Sequence, residues 1–256
     1  MTRYFDAPVP RVLAHRGFAV GAPENTLLAF ADALALGTPY LETDVHATLD
    51  GVAVISHDAD LGRVAGDSRR LALLTLEQVR AVRLPEDQTV PTLQEALEAF
   101  PDALFNIDVK VDEAVRPAAE AILRAGAVDR VLVTSFSTKR RRAVTDLLPG
   151  VASSASSWAV GAAVAASWLP RGPLRRVALR AVTRRFDALQ VPEGWWRIRI
   201  ATEERVADWA AAGVETHVWT VDDPDDMRRL VALGVVGIIT DRADVALATL
   251  VPPPAV

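Results

Sequence analysis

The sequence predicts a single α/β barrel of the TIM (β/α)8 type, on its length, its apolar content and the alternation of its elements. The 256 residues lie close to the ~250 typical of one such barrel. Half of the residues are hydrophobic and only 24% are charged, enough apolar material for one large core and too little net polarity for bulk disorder. Short β-rich runs alternate with helical runs along nearly the whole chain, the pattern of parallel strands joined by helical crossovers.

The first strand, 11–15, is an apolar run ending on His15. Residues 25–36 read as a helix opened by Asn25-Thr26, with Asn25 as its cap, and closed by Gly37. Two β-branched runs, 40–45 and 52–57, flank Asp50-Gly51, a hairpin dipeptide. With both counted there are nine strands, one more than a barrel needs, so one of the two is an excursion, and the sequence does not say which. A charged, mixed stretch near residues 58–90 breaks the rhythm and reads as a small inserted segment over one end of the barrel. The alternation then resumes with helix 92–100, strand 103–111, helix 112–125, strand 131–136, helix 138–148 and strand 151–154. An apolar run from Trp158 to Pro170 and a basic run to Arg185 follow. They read as a buried crossover helix and a solvated one. Strand 188–191, helix 203–212, strand 216–221, helix 224–233 and strand 236–240 complete one catalytic domain, residues 1–256.

Composition excludes several classes of function. A formal net charge of −5 leaves no broad basic surface for nucleic acid. The absence of cysteine removes disulfides, thiolate nucleophiles and thiolate metal sites, so a metal would have to sit on oxygen or imidazole. The first ten residues lack the apolar run of a secretory signal, and a cytoplasmic location is expected. The run from Trp158 to Pro170 is too short to span a bilayer, which takes about 20 residues. Followed by clustered arginines, it also suits peripheral contact with an anionic membrane through Trp158–Arg185, to which Trp195-Trp196 would add.

Strand spacing points to chemistry. Residues two apart share a face, so Glu42 and Asp44 project together. If that face is inward, the pair calls for a cation, and oxygen ligands suit Mg²⁺ or Ca²⁺; a solvent-facing strand with two ordinary acids fits the same spacing. Asp108 and Lys110 repeat the geometry, as a third carboxylate with a positive charge or as a structural ion pair. His15 and His57 each close a strand, and strand C-termini form the active-site face of such barrels. With a metal, such a pair can move protons in phosphoryl transfer. Arg16 has the planar fork that suits a phosphate, and Glu24 is near enough in sequence to orient a side chain or reach substrate. His46 and His217 read as structural.

Assembled, these residues resemble the glycerophosphodiester phosphodiesterase family of PI-PLC-like TIM-barrel phosphodiesterases. The resemblance rests on nine motifs in family order: His-Arg-Gly at 15–17, Pro-Glu-Asn-Thr at 23–26, Glu-Thr-Asp-Val at 42–45, Thr-Leu-Asp-Gly at 48–51, Ser-His-Asp at 56–58, Asp-Val-Lys at 108–110, Thr-Ser-Phe at 134–136, Trp-Thr-Val at 219–221 and Gly-Ile-Ile-Thr-Asp at 237–241. It implies a divalent-cation-dependent hydrolase of glycerophosphodiesters, releasing glycerol 3-phosphate and an alcohol. By the same resemblance His15 and His57 are the acid/base pair, Glu42, Asp44 and Asp108 hold the metal, Lys110 touches the phosphate or the metal shell, and Trp219 walls the substrate pocket. The chain departs from the family in having Asp108 where Glu is usual and Asp222 where Asn is common. A lysophospholipase D acting on single-chain lipids and a non-catalytic barrel binding phosphorylated ligands are the competing readings.

Overall fold

The structure, a computed structural model, describes residues 2–195 and 198–251. Among them, eight parallel strands form the barrel: β1 Arg11–Ala14, β2 Tyr40–Ala47, β3 Leu104–Val109, β4 Val131–Thr134, β5 Ala152–Ser153, β6 Ala188–Pro192, β7 Glu215–Trp219 and β8 Gly237–Thr240. Their hydrogen-bonded order is β5-β4-β3-β2-β1-β8-β7-β6. A parallel bridge from Ser154 to Ala188 joins the two ends, reinforced by the Asp187 amide donating to the Ser153 carbonyl at 2.8 Å and Ala155 to Ala188 at 2.8 Å. Around the sheet lie α1 Leu27–Leu36, α2 Leu93–Ala99, α3 Val115–Arg124, α4 Thr138–Leu147, α5 Ser157–Ala166, α6 Pro173–Thr183, α7 Glu203–Ala211, α8 Pro224–Ala232 and α9 Ala243–Leu250.

The main core fills the space between sheet and helices, with Phe30, Phe105, Ile107, Val133, Leu189 and Trp209 wholly or almost wholly buried. A second cluster, Tyr4, Leu13, Tyr40, Leu104, Leu132 and Ile239, plugs the barrel interior at its N-terminal end. There the Tyr4 and Tyr40 rings meet edge to face with centroids 5.2 Å apart. Arg11 donates to the Tyr40 hydroxyl at 2.8 Å and pairs with Glu215 at 2.9 Å. With that end plugged, the barrel interior opens onto a cavity at the C-terminal ends of the strands, the face where such barrels place their chemistry.

The ninth strand candidate is the excursion. Residues Ala53–Ile55 turn back at Asp50-Gly51 and pair antiparallel with β2, Val45 opposite Ile55. His57 therefore does not close a barrel strand, as its position in the sequence suggests; the returning arm of a hairpin delivers it beside β2, with the Ser56 amide bonded to the Asp44 carbonyl at 3.0 Å. The inserted segment that follows has its own small core of Leu61, Leu71, Leu74, Val79, Leu84 and Val90, with Val54 of the hairpin joining it. Helix α9 was not expected from sequence: its alanine-rich run lacks a polar cap, and burial of Ala243 and Ala246 holds it in place. The two helices read from Trp158 to Arg185 are present as α5 and α6. Of Trp195-Trp196, Trp196 lies outside the described residues, as does the side chain of Trp195.

Candidate active site

The barrel mouth holds a cavity of about 700 Å³ with a charged floor and an apolar wall. His15, Arg16, Glu42, Asp44, His57, Asp108 and Lys110 line the floor, and Phe136, Val160, Val164, Trp168, Ile200 and Trp219 line the wall. Of the nine residues given a catalytic, metal-binding or substrate-binding role from the sequence, only Glu24 stands outside this lining.

Register explains how the carboxylates meet. In the β2–β3 pair Glu42 faces Asn106 and Asp44 faces Asp108, so both acids of the two-residue repeat point inward and the third lies beside the second. Lys110 holds Asp44 Oδ1 and Asp108 Oδ2 together, its Nζ 2.7 Å from each. Burial disfavours that ammonium, but the two carboxylates outweigh it and raise its pKa. Burial works against ionised Asp44 as well, yet Lys110 holds it below the usual carboxylate range. Glu42 has no such partner and is pushed up to about 8 by burial and by the charge of Asp44. Asp108 is raised by burial, with Lys110 opposing.

These acids suit a hard cation. The donor set is all oxygen, Asp108 Oδ1 is buried with no hydrogen-bond partner, and the raised pKa of buried Glu42 marks a carboxylate short of positive charge. Among the described residues no three His, Asp or Glu side chains converge in an arrangement that holds a metal ion. The Lys110 ammonium stands between Asp44 and Asp108, and a cation binding the two would compete with it for the same oxygens.

Each histidine is oriented through Nδ1. His15 Nδ1 lies 2.6 Å from Asp241 Oδ1, while its Nε2 is 3.9 Å from Glu42 Oε2. Burial lowers the His15 pKa, but the hydrogen bond to Asp241 and the charge of Glu42 outweigh it, leaving it raised. His57 Nδ1 lies 2.8 Å from Asp58 Oδ1, and Arg63 donates to the other oxygen of Asp58 at 2.7 Å. In both rings Nε2 is left for a reacting oxygen.

Arg16 and Gly17 form a tight turn. Arg16 has φ 58° and Gly17 φ 82°, and the Arg16 amide donates to Glu42 Oε2 at 3.1 Å. A Cβ on Gly17 would come within 2.7 Å of the Ala29 backbone. The Arg16 guanidinium donates to Glu24 at 3.0 Å, and Arg63 grips the same carboxylate at 2.6 and 2.8 Å. Glu24 therefore braces Arg16 rather than lining the cavity. Burial alone would raise its pKa, but Arg63 and Arg16 lower it.

Three further residues belong to the site. Asn25 is not the helix cap; Thr26 is, its hydroxyl accepting from the Ala29 amide at 3.2 Å. Asn25, at φ 58°, donates to Asp44 Oδ2 at 3.2 Å and accepts from the Thr43 hydroxyl at 2.7 Å. Asp241 and Asp58, which orient the histidines, had only their place inside motifs to mark them. His46 and His217 lie off the cavity. His46 Nε2 is 3.2 Å from the His57 carbonyl. His217, fully buried, spans Glu215 at 3.1 Å and Gln190 at 3.3 Å. It stands two residues from Trp219, on the same strand face. Trp219 meets Phe136 edge to face at 6.0 Å.

The sequence profile of the Glycerophosphoryl diester phosphodiesterase family matches residues 15–245. The chain belongs to this family. A Mycobacterium tuberculosis relative described as "Probable glycerophosphodiester phosphodiesterase 2" is 44% identical over 236 residues, covering 91% of this chain and 87% of the relative. A glycerophosphodiester phosphodiesterase of Caldanaerobacter subterraneus subsp. tengcongensis is 30% identical, covering 90% of this chain and 93% of its own. An Oleispira antarctica phosphodiesterase solved with the product sn-glycerol-3-phosphate shares the fold, with TM-score 0.77, 23% identity and coverage of 94% of this chain and 96% of that one. The profile match spans the residues of the cavity floor from His15 to Lys110 and the wall residues Phe136 and Trp219.

Proposed function

We propose that the whole chain acts as one catalytic domain that hydrolyses glycerophosphodiesters to glycerol 3-phosphate and an alcohol, with His15 and His57 as acid and base and Glu42, Asp44 and Asp108 holding a divalent cation, Mg²⁺ or Ca²⁺. The observation that carries this reading is the pair of carboxylate-oriented histidines on the same cavity floor as three buried acids. Asp241 and Asp58 fix the imidazoles so that each presents Nε2 to the phosphodiester. One ring takes the proton of the attacking oxygen, and the other gives a proton to the leaving oxygen. Arg16 and Lys110 supply positive charge to the phosphoryl oxygens, and Trp219 with Phe136 walls the organic part of the substrate. The bound cation would polarise the phosphoryl group and offset its charge.

The apolar wall favours a second reading, lysophospholipase D action on single-chain lipids. Val160, Val164, Trp168 and Ile200 offer nothing to a small polar headgroup and would shelter an alkyl chain.

The test is product release across glycerophosphocholine, glycerophosphoethanolamine and a lysophosphatidylcholine, with Mg²⁺ or Ca²⁺ and with a chelator. Glycerol 3-phosphate released from the water-soluble diesters and lost on chelation is the expected result. Turnover confined to the lysolipid selects the second reading, and no turnover on any of the three overturns both.

A further inference from the structure

Helix α6 is amphipathic in an unusual sense. Its inward face carries Arg175, Leu179 and Thr183, all buried, and Arg175 is held by Glu204 at 2.7 Å and by Asp208. Its outward face carries a stripe at helical spacing, Leu174, Val177 and Ala181, in which Leu174 is 68% and Val177 65% exposed. Arg176, Arg180 and Arg184 flank that stripe and are also exposed. Among the described residues no carboxylate lies within 4 Å of any of the three. Three unpaired arginines beside an exposed apolar stripe are out of character for a chain of net charge −5, where acids are available to pair with them.

Trp168 links this surface to the catalytic cavity. It lies in the connection between α5 and α6, lines the apolar wall and is nevertheless 64% exposed. Trp168 thus belongs both to the cavity wall and to the exposed surface that leads into α6.

We propose that α6 and the α5–α6 connection dock on an anionic lipid surface. Leu174, Val177 and Trp168 enter the interfacial layer, Arg176, Arg180 and Arg184 meet the lipid phosphates, and the apolar side of the cavity opens onto the bilayer. Charge complementarity selects this occupant: basic side chains flanking an apolar stripe fit a surface that is negative outside and apolar beneath. No helix among the described residues is long and apolar enough to cross a membrane, so the contact is peripheral.

The test is co-sedimentation of the full chain with vesicles of phosphatidylcholine alone or with about a third phosphatidylglycerol. Binding to the anionic vesicles at low salt, weakening as ionic strength rises, is expected. Arg176→Ala/Arg180→Ala/Arg184→Ala should weaken it on the order of a hundredfold, about fivefold per arginine, whereas the triple Lys variant retains it. Leu174→Ser/Val177→Ser should also lose binding. None of these residues lines the cavity, so turnover of glycerophosphocholine should be unchanged. The proposal is overturned if the wild type stays in the supernatant with anionic vesicles, if the triple Ala variant binds as the wild type does, or if Leu174→Ser/Val177→Ser instead abolishes a dimer seen without lipid. Binding needs no turnover, so its failure is separate from failure of the catalytic reading.

Discussion

His15 stands between opposing influences: burial disfavours its charged form, while Asp241 and Glu42 favour it and prevail. Asp241→Asn keeps the shape but removes the charge, so the His15 pKa should fall. The limb of the kcat/KM profile that reports His15 then moves to lower pH, whichever proton it transfers; an unmoved limb would contradict the pairing. Linkage has the same sign. A histidine whose folded pKa is raised contributes stability below its unfolded value of about 6.5, and that contribution is lost as pH rises through the folded value. Asp241→Asn should therefore be least stable relative to wild type below that value, by thermal melts. At Gly17, the φ of 82° and an Ala29 backbone 2.7 Å from where a Cβ would stand both oppose a side chain. Gly17→Ala should destabilise the fold by about 3 kcal/mol in denaturant unfolding. The sequence disclosed the two histidines and the carboxylate repeat because strand spacing is local. It misassigned Asn25, because Asn-Thr before an apolar helix is a cap signal, and the bond from Asn25 to Asp44 depends on tertiary approach.

Strands were legible as elements, but their pairing was not. The run at 52–57 looks like any other β-branched strand, and only its antiparallel pairing with β2 removes it from the barrel. Helix α9 was invisible for a related reason: burial against the barrel, rather than any cap or polar periodicity, defines it. The inserted segment was legible as a break in rhythm, yet its attachment was not. Arg63 ties it to the site, gripping Glu24 from one side and Asp58 from the other. Arg63 is half exposed, so Arg63→Ala should cost only about 1 kcal/mol globally. Amide exchange across residues 58–90 should nevertheless accelerate, and unchanged protection there would show that the small core of the insertion suffices. Both carboxylates are held below their ordinary range once burial is offset. Their contribution is thus present above the unfolded pKa and lost as pH falls through the folded one, so acid should loosen the same segment.

At the scale of the molecule, closure of the barrel by the Ser154–Ala188 bridge and the tyrosine plug at its N-terminal end leave one mouth, where the motif residues converge. The family was legible because its motifs spread along the chain from residue 15 to 241, and the profile match spans 15–245. Of the apolar wall of the cavity, Val160, Val164 and Trp168 lie within the apolar run Trp158–Pro170 marked in the sequence, but its meeting with Ile200 at the barrel mouth depends on tertiary approach. The most direct test of the proposed chemistry is the rate of glycerol 3-phosphate release from glycerophosphocholine by wild type, His15→Ala and His57→Ala under one set of cation conditions. Each variant should fall by about 10²- to 10⁴-fold with its melting temperature little changed; a variant of either histidine that turns over at the wild-type rate would contradict the acid/base pair.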